Sequence, residues 1–416
     1  MVPFIVGILS GIYPALFMSS FKPVQVLKGL FKVNVSGFSF RQVLVVIQFT
    51  VSIILIICTV IVFQQLSYIQ KRSLGFDREH IVTVPYNGEL SPRFEAFRTE
   101  LLQNVAIKDV GRSSRIPTGR LLDADNAQIP VGDSVQPVTA EIKMVAADYN
   151  FITTYSVDMK AGRNFSREFG TDTSSFIINE AAVAGIGWES AEDAIGRPFL
   201  YGGVRGKIIG VVNDFHFESL HEKIVPLLLF MPSPQNAFFG RLSVKASGND
   251  LPGALAHLEK TWKKFLPDAP FDYTFLDENF ENLYRAERVQ GTLFTIFSCI
   301  AIFIACLGLF GLSAFTITQR IKEIGIRKVL GASVSRIVRL LSRDFIKLVA
   351  IAALISFPVA WYAMHTWLQE FAYRTNMPWW VFPVSFVIAG LIAILTISFQ
   401  AIKAAIANPV KNLRTE

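Results

Sequence analysis

A basic segment between two uncharged apolar runs carries the most informative charged side chains of the sequence. Residues 318–344 read TQRIKEIGIRKVLGASVSRIVRLLSRD, with seven basic and two acidic side chains. Glu323 precedes Arg327 by four residues, which allows an ion pair along one face of a helix. Excess positive charge beside apolar runs is typical of a cytoplasmic loop between membrane helices, because it meets anionic lipid headgroups there. We therefore expect this segment to lie at the inner membrane face.

The same segment has an apolar stripe on each side of a break. The apolar positions are Ile321, Ile324, Val329, Leu330, Val334, Ile337, Val338 and Leu341. Their spacing predicts two short amphipathic helices, separated by a hinge of Gly331, Ala332 and Ser333 that also supplies the N-cap. A loop whose only role is to set membrane topology needs basic residues, but it needs neither an apolar stripe nor a break between two helices. From the residues alone, docking of a partner and a solvated, lipid-facing loop both stay open.

No nucleotide-binding motif is recognisable in the sequence. The nearest match to a phosphate-binding loop is GGVRGKI at residues 202–208. Its glycines and lysine have the wrong spacing, and Ile208 stands where Ser or Thr would hold magnesium. We expect a hairpin turn at this place. The sequence therefore predicts no cofactor and no enzyme activity of its own.

Two histidines and several carboxylates are the remaining candidates for chemistry. His216 and His221 lie in DFHFESLHE, where a metal site is conceivable from residue type. Spacing by five residues does not put both rings on one helix face, so a surface loop is favoured. Asp272, Asp277 and Glu278 are predicted to face solvent. No two side chains have the spacing that would define a catalytic acid–base pair. A membrane-anchored enzyme is therefore a weak hypothesis.

Five apolar runs predict five membrane helices. They span residues 1–21, 42–70, 289–319, 345–369 and 375–402, and the second and third are longer than the ~20 residues that cross hydrocarbon. Apart from Lys347 near the start of the fourth run, these runs contain no charged residue, which disfavours ion-coupled transport. Cys58, Cys299 and Cys306 all lie within these runs and are predicted to be small buried hydrophobic residues.

The region at residues 71–288 has mixed charge, turn signals and short β-rich segments. We predict strands at 80–85, 175–178, 207–212 and 226–231, and amphipathic helices at 92–105 and 250–265. The predicted fold class is an α-helical membrane protein with an inserted α+β domain, whose flanking helices extend beyond the bilayer as a stalk. Positive-inside counting places the loops at 22–41 and 320–344 and the tail at 403–416 in the cytoplasm, and the domain outside. The net charge of +7 is not gathered in any basic patch with interleaved aromatic residues outside these loops, which argues against a nucleic-acid partner.

A short repeat indicates a duplicated architecture. Residues 21–28 and 407–414 both read x-x-Pro-Val-x-x-Leu-basic, just inside the membrane after the first and the last apolar run. We interpret residues 1–21 as the last helix of a preceding half, so that the chain is the C-terminal half of a longer protein. Chance is the rival explanation for so short a match.

The stretch GLFGLSAFTITQRIKEIGIRKVLGAS gives the chain a resemblance to the FtsX/MacB-type permease family of ABC transporters. Glu323, Ile324, Gly325, Arg327, Gly331 and Ala332 match the family signature E-I-G-I-R-x-x-x-G-A, and the basic residues Arg320 and Lys328 lie before and within it. The stretch at 42–76, which ends in SLGFD, is similar to the beginning of a MacB-like periplasmic core. One helix stands at the N-terminus where family members often have a full first half.

This resemblance implies a permease subunit in a bacterial inner membrane, with a periplasmic domain at 71–288 built from a discontinuous α/β subdomain and an inserted β-rich subdomain. It implies that residues 320–344, here called the coupling segment, dock on a separate ATP-binding subunit. ATP-driven motion would then reach the domain outside, for export or extraction of a substrate that the sequence does not identify. The alternative is an FtsX-like signalling protein that regulates a periplasmic partner without transport. A homodimer and pairing with another permease half are both compatible with the resemblance.

Overall fold

The structure is a computed structural model that describes residues 40–233 and 238–406. The predicted helix at 1–21, nearly all of the loop at 22–41, and both copies of the Pro-Val repeat lie outside the described residues. The helices are α1 Phe40–Lys71, α2 Phe94–Leu101, α3 Phe151–Tyr155, α4 Glu180–Ile186, α5 Ala191–Ala194, α6 Leu251–Phe265, α7 Leu276–Leu283, α8 Arg285–Gln319, α9 Ile321–Val329, α10 Val334–Gln369 and α11 Val381–Ile406. The strands are β1 Ile81–Pro85, β2 Ile107–Ser113, β3 Ala127–Val131, β4 Ser134–Pro137, β5 Lys143–Ala146, β6 Met159–Gly162, β7 Ser175–Asn179, β8 Pro198–Tyr201, β9 Val204–Val212, β10 Leu227–Phe230, β11 Arg241–Ala246 and β12 Thr274–Phe275.

Four of the described helices, α1, α8, α10 and α11, are long and apolar enough to cross a membrane. At 1.5 Å per residue, the 32 residues of α1 extend over about 48 Å, well beyond a hydrocarbon core of about 30 Å. The chain divides into two compact units. Of the described residues, the first holds 40–52, 301–354 and 386–406, and the second holds 53–233, 238–300 and 355–385.

The second unit contains the α+β domain, which is built around two sheets. One sheet has the antiparallel order β12-β1-β11-β2, so its strands come from both ends of the domain sequence. The other follows the order β4-β3-β8-β9-β7-β10-β5, with β6 paired to β9, and lies between β2 and β11 in sequence. A discontinuous subdomain with a β-rich insertion, which the family resemblance implied, is therefore present.

Helices α2 and α6 cover the four-stranded sheet because each has one apolar face. Phe97 of α2 and Trp262 of α6 are fully buried and meet edge to face with ring centroids 6.3 Å apart. Helix α6 begins where predicted, since the Asp250 carboxylate accepts a hydrogen bond from the Gly253 backbone NH at 3.0 Å. Helix α2 is shorter than the predicted 92–105. It ends in a turn that Asn104 stabilises by accepting from the Ala106 backbone NH.

The long helices differ from the predicted bounds in two places. Helix α10 runs through Phe345 without interruption, so the second amphipathic helix and the membrane helix are one element. No glycine or proline separates them, and buried positions recur from Leu341 through Phe345 to Leu348 on the same side. Helix α11 begins at Val381 rather than at 375, immediately after Pro378 and two tryptophans, because proline lacks the NH that an earlier helical turn would need.

Polar side chains of two long helices meet within the apolar stretches. The hydroxyls of Thr59 on α1 and Ser298 on α8 lie 3.3 Å apart. Cys58 is buried, as predicted. Cys299 is exposed, contrary to the prediction, because it follows Ser298 by one residue and so projects about 100° away from the α1 contact.

Candidate functional site

The break in the coupling segment is a helix C-cap followed by a new helix. Helix α9 ends at Leu330, and Gly331 has a left-handed φ of +86°. The NH of Gly331 donates to the Lys328 carbonyl at 3.1 Å and that of Ala332 to the Arg327 carbonyl at 3.0 Å. This is how a glycine satisfies the last carbonyls of a helix. The Ser333 hydroxyl accepts weakly from the Arg336 NH at 3.4 Å, at the start of α10. The predicted Gly-Ala-Ser break is confirmed.

Charged side chains of the coupling segment pair on its outer side. The Arg327 guanidinium lies 2.7 Å from the Glu323 carboxylate, which is the predicted pair at a spacing of four residues. The Arg320 guanidinium reaches the Asp344 carboxylate of α10 at 3.3 Å and so ties the start of α9 to the next helix. All four side chains are more than two-fifths exposed, so water screens both pairs.

Removing the Glu323–Arg327 pair is expected to leave the fold intact. Glu323→Ala should change the free energy of unfolding by less than about 0.5 kcal/mol, because exposed pairs at this spacing contribute little. Thermal unfolding of the detergent-solubilised protein measures the change, with Asp277→Ala as an exposed control. A large loss of stability would show that the pair stabilises α9 in a way that its exposure does not indicate.

Apolar side chains of the coupling segment divide into two opposite faces. Ile324 is buried against Ile317, Ile337 and Leu341, with Ala332 packed beside them. Gly325 is also buried, whereas Gly331 is exposed and Lys328 half-buried. On the other side, Ile326 is 53% exposed and Leu330 is 80% exposed. These two residues, spaced by four, form one ridge, which we call the Ile326–Leu330 ridge.

The ridge was only partly anticipated from the sequence. Leu330 appears in the predicted apolar stripe, but the structure turns it away from the side chains that bury Ile324. The exposed position of Ile326 was not predicted. The predicted apolar stripe runs through Ile321 and Ile324, and Ile326 lies on a different face of the helix, together with charged residues. The signal was the spacing of four between Ile326 and Leu330.

A second cluster joins three separate stretches of the second unit, and we call it the latch. Its backbone part pairs the segments at 220–221 and 372–373. Ala372 NH donates to the His221 carbonyl at 3.1 Å, and Tyr373 NH donates to the Leu220 carbonyl at 3.2 Å. The Leu220 NH donates to the Tyr284 hydroxyl, just before α8, at 2.7 Å. The latch thus holds the α+β domain, the start of α8 and the loop after α10 together.

Gln65 of α1 completes the latch from inside. Its side chain has no exposed surface. The amide nitrogen donates to the Tyr373 carbonyl at 3.0 Å, and the amide oxygen accepts from the Thr375 NH at 2.9 Å. One buried amide therefore satisfies two backbone groups more than 300 residues away in sequence.

The two histidines belong to the latch, so their prediction as a surface loop is wrong. His221 stacks on Phe371 at 4.2 Å between ring centroids, and its Nε2 lies 3.2 Å from a Glu287 carboxylate oxygen. His216 is only 7% exposed and meets the Tyr373 ring edge to face at 4.6 Å. His216 is buried and His221 is partly covered, because long-range partners from 284–287 and 371–373 pack over the loop. No group of three His, Cys, Asp or Glu side chains within the described ranges could hold a metal ion.

Acidification is expected to loosen the latch through His216. Burial, aided by the nearby positive charge of Arg72, lowers the pKa of His216 to about 4. Its unfolded pKa is about 6.5, so between those values the unfolded chain binds a proton that the folded chain does not. Stability contributed by neutral His216 is therefore full above about pH 6.5 and falls as pH drops towards 4.

Thermal unfolding between pH 7 and pH 5 tests the role of His216. The loss of stability on acidification should be smaller in His216→Phe, which keeps an aromatic ring against Tyr373 but cannot take up a proton. An equal loss in wild type and His216→Phe would contradict the assignment.

Comparison with known proteins places the coupling segment in a known domain. The FtsX-like permease C-terminal model matches residues 295–409, which include most of α8 and all of α9, α10 and α11. The chain is also 22% identical to the macrolide export ATP-binding/permease protein MacB of Bartonella quintana over 254 residues, which is 58% of this chain and 37% of that protein. Residues 295–409 therefore match the FtsX-like permease domain, and the chain resembles the FtsX/MacB type of ABC-transporter permease.

A second MacB protein and two solved domain structures are also similar to parts of this chain. MacB of Bartonella henselae is 23% identical over 49% of this chain and 32% of that protein. The chain thus spans about a third of the length of the curated relatives it matches. Among solved structures, the periplasmic region of MacB from Actinobacillus actinomycetemcomitans covers 52% of this chain and 97% of its own, at 15% identity and a TM-score of 0.36. The extracellular domain of the ABC-type transporter YknZ from Gram-positive bacteria covers 47% and 98%, at 13% identity and a TM-score of 0.33.

Proposed function

We propose that this permease is the membrane subunit of an ABC transporter complex and that a separate ATP-binding subunit docks on its coupling segment. The observation that carries the proposal is the Ile326–Leu330 ridge. An isoleucine and a leucine are held out by a short helix whose other face is buried. Exposed apolar side chains next to polar ones are typical of a protein-binding surface. The paired charges of Glu323 and Arg327 flank the ridge and would orient the partner.

Long helices offer a route for motion away from this surface. Helices α8 and α10 adjoin α9 in sequence, and each is a single uninterrupted element of 35 or 36 residues. Helix α8 begins one residue after Tyr284 of the latch, and the loop after α10 contributes Phe371 and Tyr373 to it. A displacement of α9 that moves either helix along its axis would therefore act on the latch. We infer that the permease transmits ATP-driven motion to its α+β domain in this way.

The proposed orientation follows from charge. The coupling segment carries the surplus of basic residues, which supports a cytoplasmic position for it. The α+β domain then lies in the periplasm of a bacterial cell, and the permease resides in the inner membrane. The names of the curated relatives describe macrolide export, and export or extraction of a substrate is the direction that we propose for this chain. A homodimer or a pair with another permease half would supply two docking sites.

Regulation of a periplasmic partner without transport is the second candidate. It is favoured by the match to an FtsX-like permease domain and by an α+β domain that has its own two sheets. Such a domain can bind a partner protein whether or not a substrate moves.

Reconstitution tests the proposal and separates the candidates. The permease is co-expressed with candidate ATP-binding subunits from the same organism, beginning with any that is encoded beside it. Stable co-purification and ATP hydrolysis that depends on the permease would support the docking proposal. Movement of a substrate out of proteoliposomes during hydrolysis would favour export, whereas hydrolysis without movement would favour regulation. Failure to bind any such subunit would refute both.

A further inference from the structure

A groove with apolar walls lies between α10 and α11 in the first unit. Its volume is about 830 Å³, and its walls include Ile346 and Ala350 from α10 and Ile394 and Ile402 from α11. The three isoleucines are each more than a third exposed. The groove does not contain the Ile326–Leu330 ridge, so it is a surface distinct from the proposed docking site.

Three basic side chains line the same groove at regular spacing. Arg339, Arg343 and Lys347 follow each other by four residues on α10, which places them about 6 Å apart along one helix face. Within the described residues, no carboxylate lies at ion-pair distance from Arg339 or Arg343, whereas Lys347 is 3.8 Å from Asp344. The groove therefore presents a row of positive charge that its own surroundings neutralise only at one end.

A buried hydroxyl in this groove also has no partner. Ser342 is 6% exposed and lines the groove between Arg339 and Arg343. Its oxygen has no hydrogen-bond partner in the described part of the chain. A buried polar atom without a partner is uncommon in a folded protein, and it indicates that a polar group of a ligand satisfies it.

Position along α10 indicates what kind of ligand fits. Lys347 is the last charged residue before an uncharged stretch that continues to Gln369. The basic row is thus at headgroup level, and Ile346, Ala350 and Ile394 mark the start of the hydrocarbon-facing wall. A free phosphate ion would use the basic row but would leave the apolar wall uncovered. A phospholipid satisfies both, because its phosphate and its acyl chain are joined at this depth.

We propose that this groove binds an anionic phospholipid of the inner leaflet. The headgroup phosphate is held by Arg339, Arg343 and Lys347, and the Ser342 hydroxyl donates to it. One acyl chain lies against Ile346, Ala350 and Ile394. The lipid thereby becomes a structural link between α10 and α11 next to the coupling segment. The basic row gives the groove its preference for an anionic headgroup, and the apolar wall gives it its requirement for an acyl chain.

Lipid binding to the full-length permease in detergent tests the proposal. The probes are phosphatidylglycerol, phosphatidylcholine with the same acyl chains, and glycerol 1-phosphate, and native mass spectrometry counts the bound molecules. We expect phosphatidylglycerol to bind tightest. Arg343→Gln should weaken it about fivefold, as expected for one basic residue near an anionic membrane surface. Arg343→Lys should retain most of the binding, and Ala350→Leu should weaken binding without any change of charge.

The matched control is Arg336→Gln, which removes the same charge from an exposed position of α10 that does not line the groove. Equal weakening by Arg336→Gln and Arg343→Gln would overturn the proposal in favour of diffuse attraction. Equal binding of phosphatidylcholine, or of glycerol 1-phosphate, would overturn it in favour of a nonspecific acyl groove or a phosphate site. Displacement of phosphatidylglycerol by an excess of the ATP-binding subunit would assign the groove to that protein instead.

Discussion

Replacing Leu330 with aspartate is expected to abolish co-purification of the ATP-binding subunit while the permease itself stays folded. Leu330 is 80% exposed, so its loss removes little packing within the chain. Burying a leucine side chain in an interface contributes about 1.5–3 kcal/mol, and a carboxylate in the same place must also be desolvated. We expect the affinity for the subunit to fall at least about 30-fold, and permease-dependent ATP hydrolysis to be lost with it.

Two controls separate docking from folding at this position. Leu330→Met keeps an apolar side chain of similar volume and should retain binding. Val105→Asp introduces the same charge at a residue that is 86% exposed in the α+β domain, and it should leave subunit binding unchanged. Affinity is measured by titrating the labelled subunit onto immobilised permease, with thermal unfolding as the check on folding. Wild-type affinity in Leu330→Asp would show that the ridge does not contact the subunit.

Replacing Gln65 with leucine is expected to open the latch. The change removes the partners of the Tyr373 carbonyl and the Thr375 NH in a place that water does not reach. Each buried group left unsatisfied costs about 1–3 kcal/mol, so we expect a destabilisation of about 2–5 kcal/mol. Most of that loss should be local, because the two groups lie in one short loop after α10.

Hydrogen exchange resolved by peptide measures the opening directly. Exchange at residues 370–376 should rise strongly in Gln65→Leu, together with a smaller rise at 220–224, which pairs with it. Gln70→Leu is the matched control, since Gln70 lies on the same helix but is exposed. If the latch transmits motion, Gln65→Leu should also uncouple ATP hydrolysis from substrate movement while leaving subunit binding intact. Unchanged exchange at 370–376 would contradict the bridging role of Gln65.

The hinge of the coupling segment could be predicted because it follows local rules. Gly331 is the residue that tolerates a left-handed φ after a helix, and Glu323 and Arg327 pair because helical geometry places residues four apart side by side. The same is true of the hairpin at Gly202 and Gly203, which joins β8 to β9 as predicted. Four of the twelve described strands, β1, β7, β9 and β10, and the four described membrane helices also follow from short-range hydrophobic patterns.

Contacts between residues that are distant in sequence could not be predicted from such local patterns. Gln65 looks like a polar residue at the end of an apolar helix, and only the fold brings Tyr373 and Thr375 to it. His216 and His221 have a polar context in sequence, but Tyr284, Phe371 and Tyr373 bury them. Burial depends on which elements pack together, and hydrophobic periodicity does not specify that.

By itself, the sequence determined the class of the protein, the membrane helices, the basic coupling segment and its break, because charge, hydropathy and backbone preference act over a few residues. Only the tertiary structure decided which way the apolar side chains of that segment point. Ile324 is buried because it packs against Ile317, Ile337 and Leu341. Ile326 and Leu330 lie on the opposite face and are exposed. The same holds for the groove lined by Arg339, Arg343 and Lys347, since its far wall belongs to α11. A surface for a partner or a lipid is defined by what the rest of the chain does not cover, and this is a property of packing between distant elements.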